Sequence, residues 1–141
     1  VEETFAHPAN YPYLSVCTTS THDMNPIRAW WEEDREVTND FWHMILGNQG
    51  EAPFYCEPWI CRQILEQHVW SPAMLTILPL QDWLSMDPQL RREDPNTERI
   101  NVPANSRHYW RYRMHLTLEQ LEAADEFNKT LSDMIATSGR K

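Results

Sequence analysis

Residues 13–34 read YLSVCTTSTHDMNPIRAWWEED, and the order of polar and apolar residues within them decides how the chain is read. Tyr13 to Thr18 is short, apolar and partly β-branched, and a polar run follows it. That pattern predicts a buried strand feeding a loop. The loop, TSTHDMN, ends at Pro26, which suits the first turn of a helix because its missing N–H would have had no partner there. Asn25 is then the expected N-cap, with IRAWWEED as a short helix. Trp30 and Trp31 are adjacent, so on a helix they point about 100° apart and at most one can lie in the deep core. Arg28 stands at i,i+4 from Glu32, the spacing of a surface ion pair.

Working outward, residues 36–46 place Val37, Phe41, Met44 and Ile45 at helical spacing. Gly47 and Gly50 then stop that helix, and two of the chain's three glycines within four residues mark a real break. A second amphipathic helix begins at Glu57-Pro58, and Ile60, Cys61, Ile64, Leu65 and Val69 make its buried stripe. Ser71-Pro72 ends it. Ala73 to Leu78, AMLTIL, is by length a second buried strand. Strand, helices, strand is the order of a parallel crossover unit. After Pro79 comes a short helical turn, LQDWLSM, and then DPQLRREDPNTERINVPANS, which is long for a plain connector and reads as a functional loop. A final helix is expected from about Leu118 to Ile135, with Thr117 and Gln120 at capping-box spacing and Leu118, Leu121, Ala124, Leu131 and Ile135 on its apolar face.

The composition limits what this fold can do. Hydrophobic residues make up 41% of the 141, which suits a globular domain or a piece of one. The net charge of −9 argues against nucleic acid and anionic membrane surfaces as partners. No apolar run is long enough to span a membrane. Cys17, Cys56 and Cys61 are an odd and sparse set, which suggests free thiols in a reducing cytoplasm rather than a disulfide framework. No second Cys/His pair completes a zinc site, and neither a metal nor a cofactor is expected. The remaining histidines, 7, 43, 68, 108 and 115, read as structural or solvated.

Polar residues directly after a buried parallel strand are where α/β folds place catalytic groups, and here Thr18 to Asp23 hold that position. By spacing alone, His22-Asp23 also reads as an ordinary loop pair, with Asp23 capping a helix. No nucleophile elbow, phosphate loop or HExxH names a reaction.

Three blocks in order carry more. SVCTTSTHDMNPIRAWWEED resembles the Thr/Ser-x-His-Asp loop and Arg-x-Trp-Trp helix of glycoside hydrolase family 77, the amylomaltases or disproportionating enzymes. TILPLQDWLSM resembles that family's final barrel strand with its Pro-Leu-Gln-Asp turn. ERINVPANSRHYWRYR resembles its Arg-x-Asn-x-Pro-Gly loop and the Trp-Arg-x-Arg block that follows. The resemblance spans about residues 11–121, and its wording is nearest the plant cytosolic type and its bacterial relatives. Ala104 stands where the family has Gly, so a different turn is expected after Pro103.

The resemblance implies an α/β, predominantly helical fold: the C-terminal third of a (β/α)8 TIM barrel with about two parallel strands, since a whole barrel takes roughly 250 residues. Residues 1–12 would be an irregular lead-in. Residues 13–116 would hold the barrel strands, helices and active-site loops, and 117–141 the C-terminal helix and tail. The implied activity is 4-α-glucanotransfer between maltooligosaccharides or α-1,4-glucans by a retaining double displacement in the cytoplasm. Asp23 is implied as transition-state stabiliser and His22 and Asn101 as substrate contacts. The nucleophile and acid/base belong to earlier barrel strands. Gln81 and Asp82 share the Asp23 face of such a barrel, with structural and substrate-contacting roles both open, and Trp110, Arg111 and Arg113 would seal its closing edge. The isolated piece is expected to be inactive and to self-associate through bare edges, its natural partner being the rest of the barrel. Two other readings stand beside this one: a non-catalytic helical carbohydrate-binding or interaction module, and a fragment of an α-amylase-type hydrolase. The Arg-Ala-Trp-Trp and INVPA blocks argue against the last.

Overall fold

Val16–Cys17 (β1) and Leu75–Thr76 (β2) pair in parallel, Val16 opposite Leu75 and Cys17 opposite Thr76, with everything between them forming the crossover. These observations come from a computed structural model that describes residues 4–140, so the ends of the expected lead-in and tail, residues 1–3 and 141, lie outside the described residues. The regular strands are shorter than the apolar runs that announce them. Backbone bonds nevertheless continue the pairing outward, from Met74 N to Tyr13 O (2.7 Å) and from Ile77 N to Cys17 O (3.0 Å). The crossover carries three helices, α1 Ile27–Trp31, α2 Arg35–Met44 and α3 Pro58–Val69. After β2 come α4 Leu80–Leu84, a 3-10 turn at Pro95–Glu98, α5 Leu118–Glu122 and α6 Asp125–Thr137.

α3 is the spine of the core, and the stripe read from its sequence is the one it buries: Ile60, Cys61, Ile64, Leu65 and Val69. Trp31, Trp42, Leu46, Ala52, Cys56 and Met134 close around it. Each large apolar side chain enclosed in this way contributes about 1.5–3 kcal/mol. Trp31 is the fully buried tryptophan of its pair, while Trp30 packs from the flank against Phe41 at 5.2 Å. Gly47 and Gly50 both sit at positive φ (67° and 75°), the left-handed backbone that lets the chain turn back after α2.

Several expectations change. Asn25 does not cap α1; Pro26 occupies the cap position, and the free N–H of Ile27 donates instead to the distant Asp82 carboxylate at 2.9 Å. At α2 the expected Ile45 is buried and Phe41 packs against the core, but Thr38 and Trp42 are buried as well and Met44 is exposed. The reason is that Trp42 offers more area than Met44 and finds a partner for its N–H in the Gln49 carbonyl, while the Thr38 hydroxyl donates to Trp31 O at 2.7 Å. The single C-terminal helix is two. Ala124 leaves the helical region (φ −79°, ψ 65°), and at the break the Leu121 carbonyl accepts from both Ala124 N (3.2 Å) and Asn128 Nδ2 (2.9 Å). Thr117 and Gln120 do form the capping box. Phe127 and Met134, rather than Leu118, supply the buried contacts, and Leu118 is exposed.

The Ala73–Leu78 run is not buried as a whole. Met74, Leu75 and Ile77 are exposed, as are Tyr13, Leu14 and Val16 beside them, because only one neighbouring strand covers each. Among the described residues no helix is long and apolar enough to cross a membrane.

Candidate functional site

The loop between β1 and α1 is shaped by one buried carboxylate. Asp82, in the first turn of α4 and fully buried, accepts from Thr19 Oγ1 (2.5 Å), Ser20 Oγ (2.8 Å) and the Ile27 backbone N–H (2.9 Å). Its two oxygens therefore staple both ends of the segment that carries His22 and Asp23. Burial pushes the Asp82 carboxyl up, and the hydrogen bonds from Thr19, Ile27 and Ser20 oppose that shift. Gln81, also buried, donates from Nε2 to Glu98 O at 3.1 Å. Of the two roles left open for this pair, the structure shows the hydrogen-bonding one.

Arg28 does not pair with Glu32. Its guanidinium is buried and bonds Glu98 Oε1 (2.9 Å), Arg92 O (2.7 Å) and Glu93 O (3.3 Å). The i,i+4 rule applies on a solvated face, whereas α1 turns Arg28 inward, where a buried cation needs a full set of acceptors. Three acceptors on the long 87–106 loop supply them. Burial drives the Glu98 carboxyl up to about 7, against the pull of Arg28. The long loop is thus fixed to α1 at Glu98 and to α4 through Gln81.

With both loops held, the three residues singled out by sequence meet at the surface. Asn101 Nδ2 donates to Asp23 Oδ1 at 2.7 Å, across 78 residues of chain. The Asn101 backbone N–H donates to His22 O at 2.9 Å, and His22 Nε2 lies 3.4 Å from Asp23 Oδ1. His22 and Asp23 are each about half exposed in their side chains. No described residue donates to Asp23 Oδ2, so one oxygen of this half-exposed carboxylate is held by the protein and the other keeps its acceptor capacity. The group can therefore accept hydrogen bonds from a polyhydroxylated ligand and present negative charge to it.

Two further residues belong to this surface. The Trp110 ring lies 5.0 Å from the His22 ring, tilted at 42°, and is itself exposed. The resemblance implies a barrel-edge place for Trp110, and no periodicity around His108-Tyr109 announces its nearness to His22. Arg99 donates from Nε to Asn101 O (2.7 Å) and from Nη2 to Asp23 O (3.1 Å). The turn after Pro103 forms with Ala104 at negative φ, so the departure from glycine costs no strained backbone.

The histidines outside the site bond carbonyls or cap turns: His68 Nδ1 contacts Ile64 O, His108 Nε2 contacts Ile100 O and His115 Nε2 contacts Leu90 O. Cys17, Cys56 and Cys61 are free and buried. Among the described residues no group of three or more His, Cys, Asp or Glu side chains could hold a metal ion.

Comparison with known proteins bears on the same residues. A family model described as 4-alpha-glucanotransferase, glycoside hydrolase family 77, matches residues 1–118. The chain is 38% identical over 136 residues to 4-alpha-glucanotransferase DPE2 of Oryza sativa subsp. japonica, covering 96% of this chain and 14% of that protein. It is 29% identical over 126 residues to the 4-alpha-glucanotransferase of Chlamydia muridarum, covering 88% of this chain and 23% of that one. Among solved structures it resembles an amylomaltase from Streptococcus agalactiae in complex with acarbose, with a TM-score of 0.68 and 20% identity over 94% of this chain and 23% of that one. At that identity the likeness is one of fold. The chain spans less than a quarter of the length of each of these proteins.

Proposed function

The chain belongs to the 4-alpha-glucanotransferase family, glycoside hydrolase family 77, and from that membership we propose that it forms one wall of a transferase active site. In this reading residues 13–116 are the last strands, helices and loops of a (β/α)8 catalytic barrel, residues 1–12 lead into it, and 117–141 pack α5, α6 and the tail beneath it. The substrates are maltooligosaccharides and α-1,4-glucans.

The observation that supports this reading best is the meeting of Asp23 with Asn101 and His22 from loops far apart in sequence. In a retaining transfer a carboxylate attacks C1, a carboxylic acid protonates the leaving oxygen, and an acceptor hydroxyl resolves the covalent intermediate. Those two groups would come from the rest of the barrel. Asp23 would take a third role: its Oδ2 accepts from the 2- and 3-hydroxyls of the transferred sugar, and its charge offsets the positive charge that grows at C1. The amide that Asn101 donates to the other oxygen keeps the carboxylate aimed without neutralising it. His22 would donate to the same sugar, and the exposed Trp110 beside it offers an apolar plane for a pyranose ring.

The intact protein incubated with maltotriose alone tests the activity. We expect both glucose and glucans longer than the substrate by chromatography, because transfer conserves the number of glycosidic bonds. Glucose and maltose without longer products would point to hydrolysis and reject the reading. The 141-residue chain by itself is expected to release no glucose.

A further inference from the structure

We infer that Arg99 is a positioning residue, whose guanidinium sets the register between the loop carrying Asp23 and the loop carrying Asn101. The inference rests on the reading of that surface as the sugar-gripping wall of the site.

Arg99 uses all three of its guanidinium nitrogens on the protein. Nε donates to Asn101 O at 2.7 Å, Nη2 to Asp23 O at 3.1 Å, and Nη1 reaches Asn25 Oδ1 at 3.5 Å. Two of these acceptors are the backbone carbonyls of the very residues whose side chains meet at the site. None is a carboxylate, and among the described residues Arg99 forms no ion pair; Arg28, Arg35 and Arg62 each do. A cation placed on neutral carbonyls gains little from pairing. What its rigid planar fork supplies is a fixed distance and angle among three acceptors.

The next residue back strengthens the point. Glu98 is drawn into the core by Arg28, while Arg99 reaches outward to Asp23, so the backbone at 98–99 is held from opposite sides just before Asn101. Without Arg99 the loops would keep the Asn101 N to His22 O bond and the Asn101 to Asp23 side-chain bond. The carboxylate and its amide could then move together, away from the sugar. A displacement of about 1 Å at a reacting centre can cost on the order of 10²-fold in rate.

The test uses the intact protein, maltotriose as substrate, and the variants Arg99→Met and Arg99→Lys. Lysine keeps the charge but cannot span three acceptors, so both variants are expected to fold and to lose roughly 10–100-fold in kcat, with KM changed less than about threefold. Added guanidinium ion in the tens-of-millimolar range, roughly, is expected to restore part of kcat to Arg99→Met and none to the wild type, since the free cation can occupy the vacated fork site. A folded variant with wild-type kcat overturns the inference. So does a loss confined to KM, which would make Arg99 a direct substrate contact, or the failure of both variants to fold, which would make it a stability residue. A wild-type protein that does not disproportionate maltotriose at all removes the underlying reading instead, and is told apart because no variant is needed to see it.

Discussion

Between α1 and the long loop the protein buries a cation, Arg28, against a carboxylate, Glu98, that has one of its two oxygens unpartnered. Desolvation raises the Glu98 carboxyl from its ordinary value near 4.5 to about 7. The folded state therefore holds a proton that the unfolded chain releases between those values. The sign follows from proton linkage: this group's contribution to stability is complete below about 4.5 and is lost as pH rises through about 7. Glu98→Gln removes that dependence while keeping the shape. In thermal unfolding of the intact protein, the variant's midpoint relative to the wild type is expected to rise between pH 5 and pH 8; a constant or falling difference would contradict the assignment. Neither Glu98 nor its partner was legible in the sequence as a pair, because 70 residues separate them and only local spacings such as i,i+4 can be read along one strand of text. The meeting of His22, Asp23 and Asn101 was legible only through three ordered blocks, since periodicity alone left His22-Asp23 as an ordinary loop pair. Asp82 was half legible: its place after a strand marked the right face, but nothing in the sequence showed that the Thr19 and Ser20 hydroxyls would turn inward to meet it.

At the level of elements, the helices were the readable part. α3 shows the stripe its sequence announces, because five apolar residues at helical spacing have one face to bury. On α2 the stripe was legible in part, with Ile45 buried and Phe41 packed on the core; periodicity counts apolar residues equally, whereas packing weights the larger Trp42 over Met44 and tolerates Thr38 once its hydroxyl is bonded. The break before α6 has no glycine or proline to announce it; its signal is Asn128, a side chain that reaches back across the gap. The strands show the clearest physical cost. β1 and β2 each have one neighbour, and Tyr13, Leu14, Val16, Met74, Leu75 and Ile77 stand exposed around them. Unpaired edges beside a cluster of apolar side chains template association with another chain. The 141-residue chain in isolation is therefore expected to self-associate, giving a light-scattering mass above that of one copy and rising with concentration. A monodisperse monomer over the same range would count against it.

On the scale of the whole molecule, the site lies at the end of the exposed sheet where β1 gives way to its loop, and in the proposed reading that sheet is the surface on which the rest of a barrel would close. Asp82, Arg28–Glu98 and Arg99 are three separate fastenings, and each ends near the Asp23 loop. Their convergence on a half-exposed carboxylate is what a site that must hold its charge still would require. The direct test is disproportionation of maltotriose by the intact protein carrying Asp23→Asn. The amide keeps the shape and can still meet a sugar hydroxyl, but it cannot offset a growing positive charge. Turnover is expected to fall by about 10²–10³-fold or more while glucan binding, followed by calorimetry, stays largely in place. A variant with near-normal kcat would contradict the account.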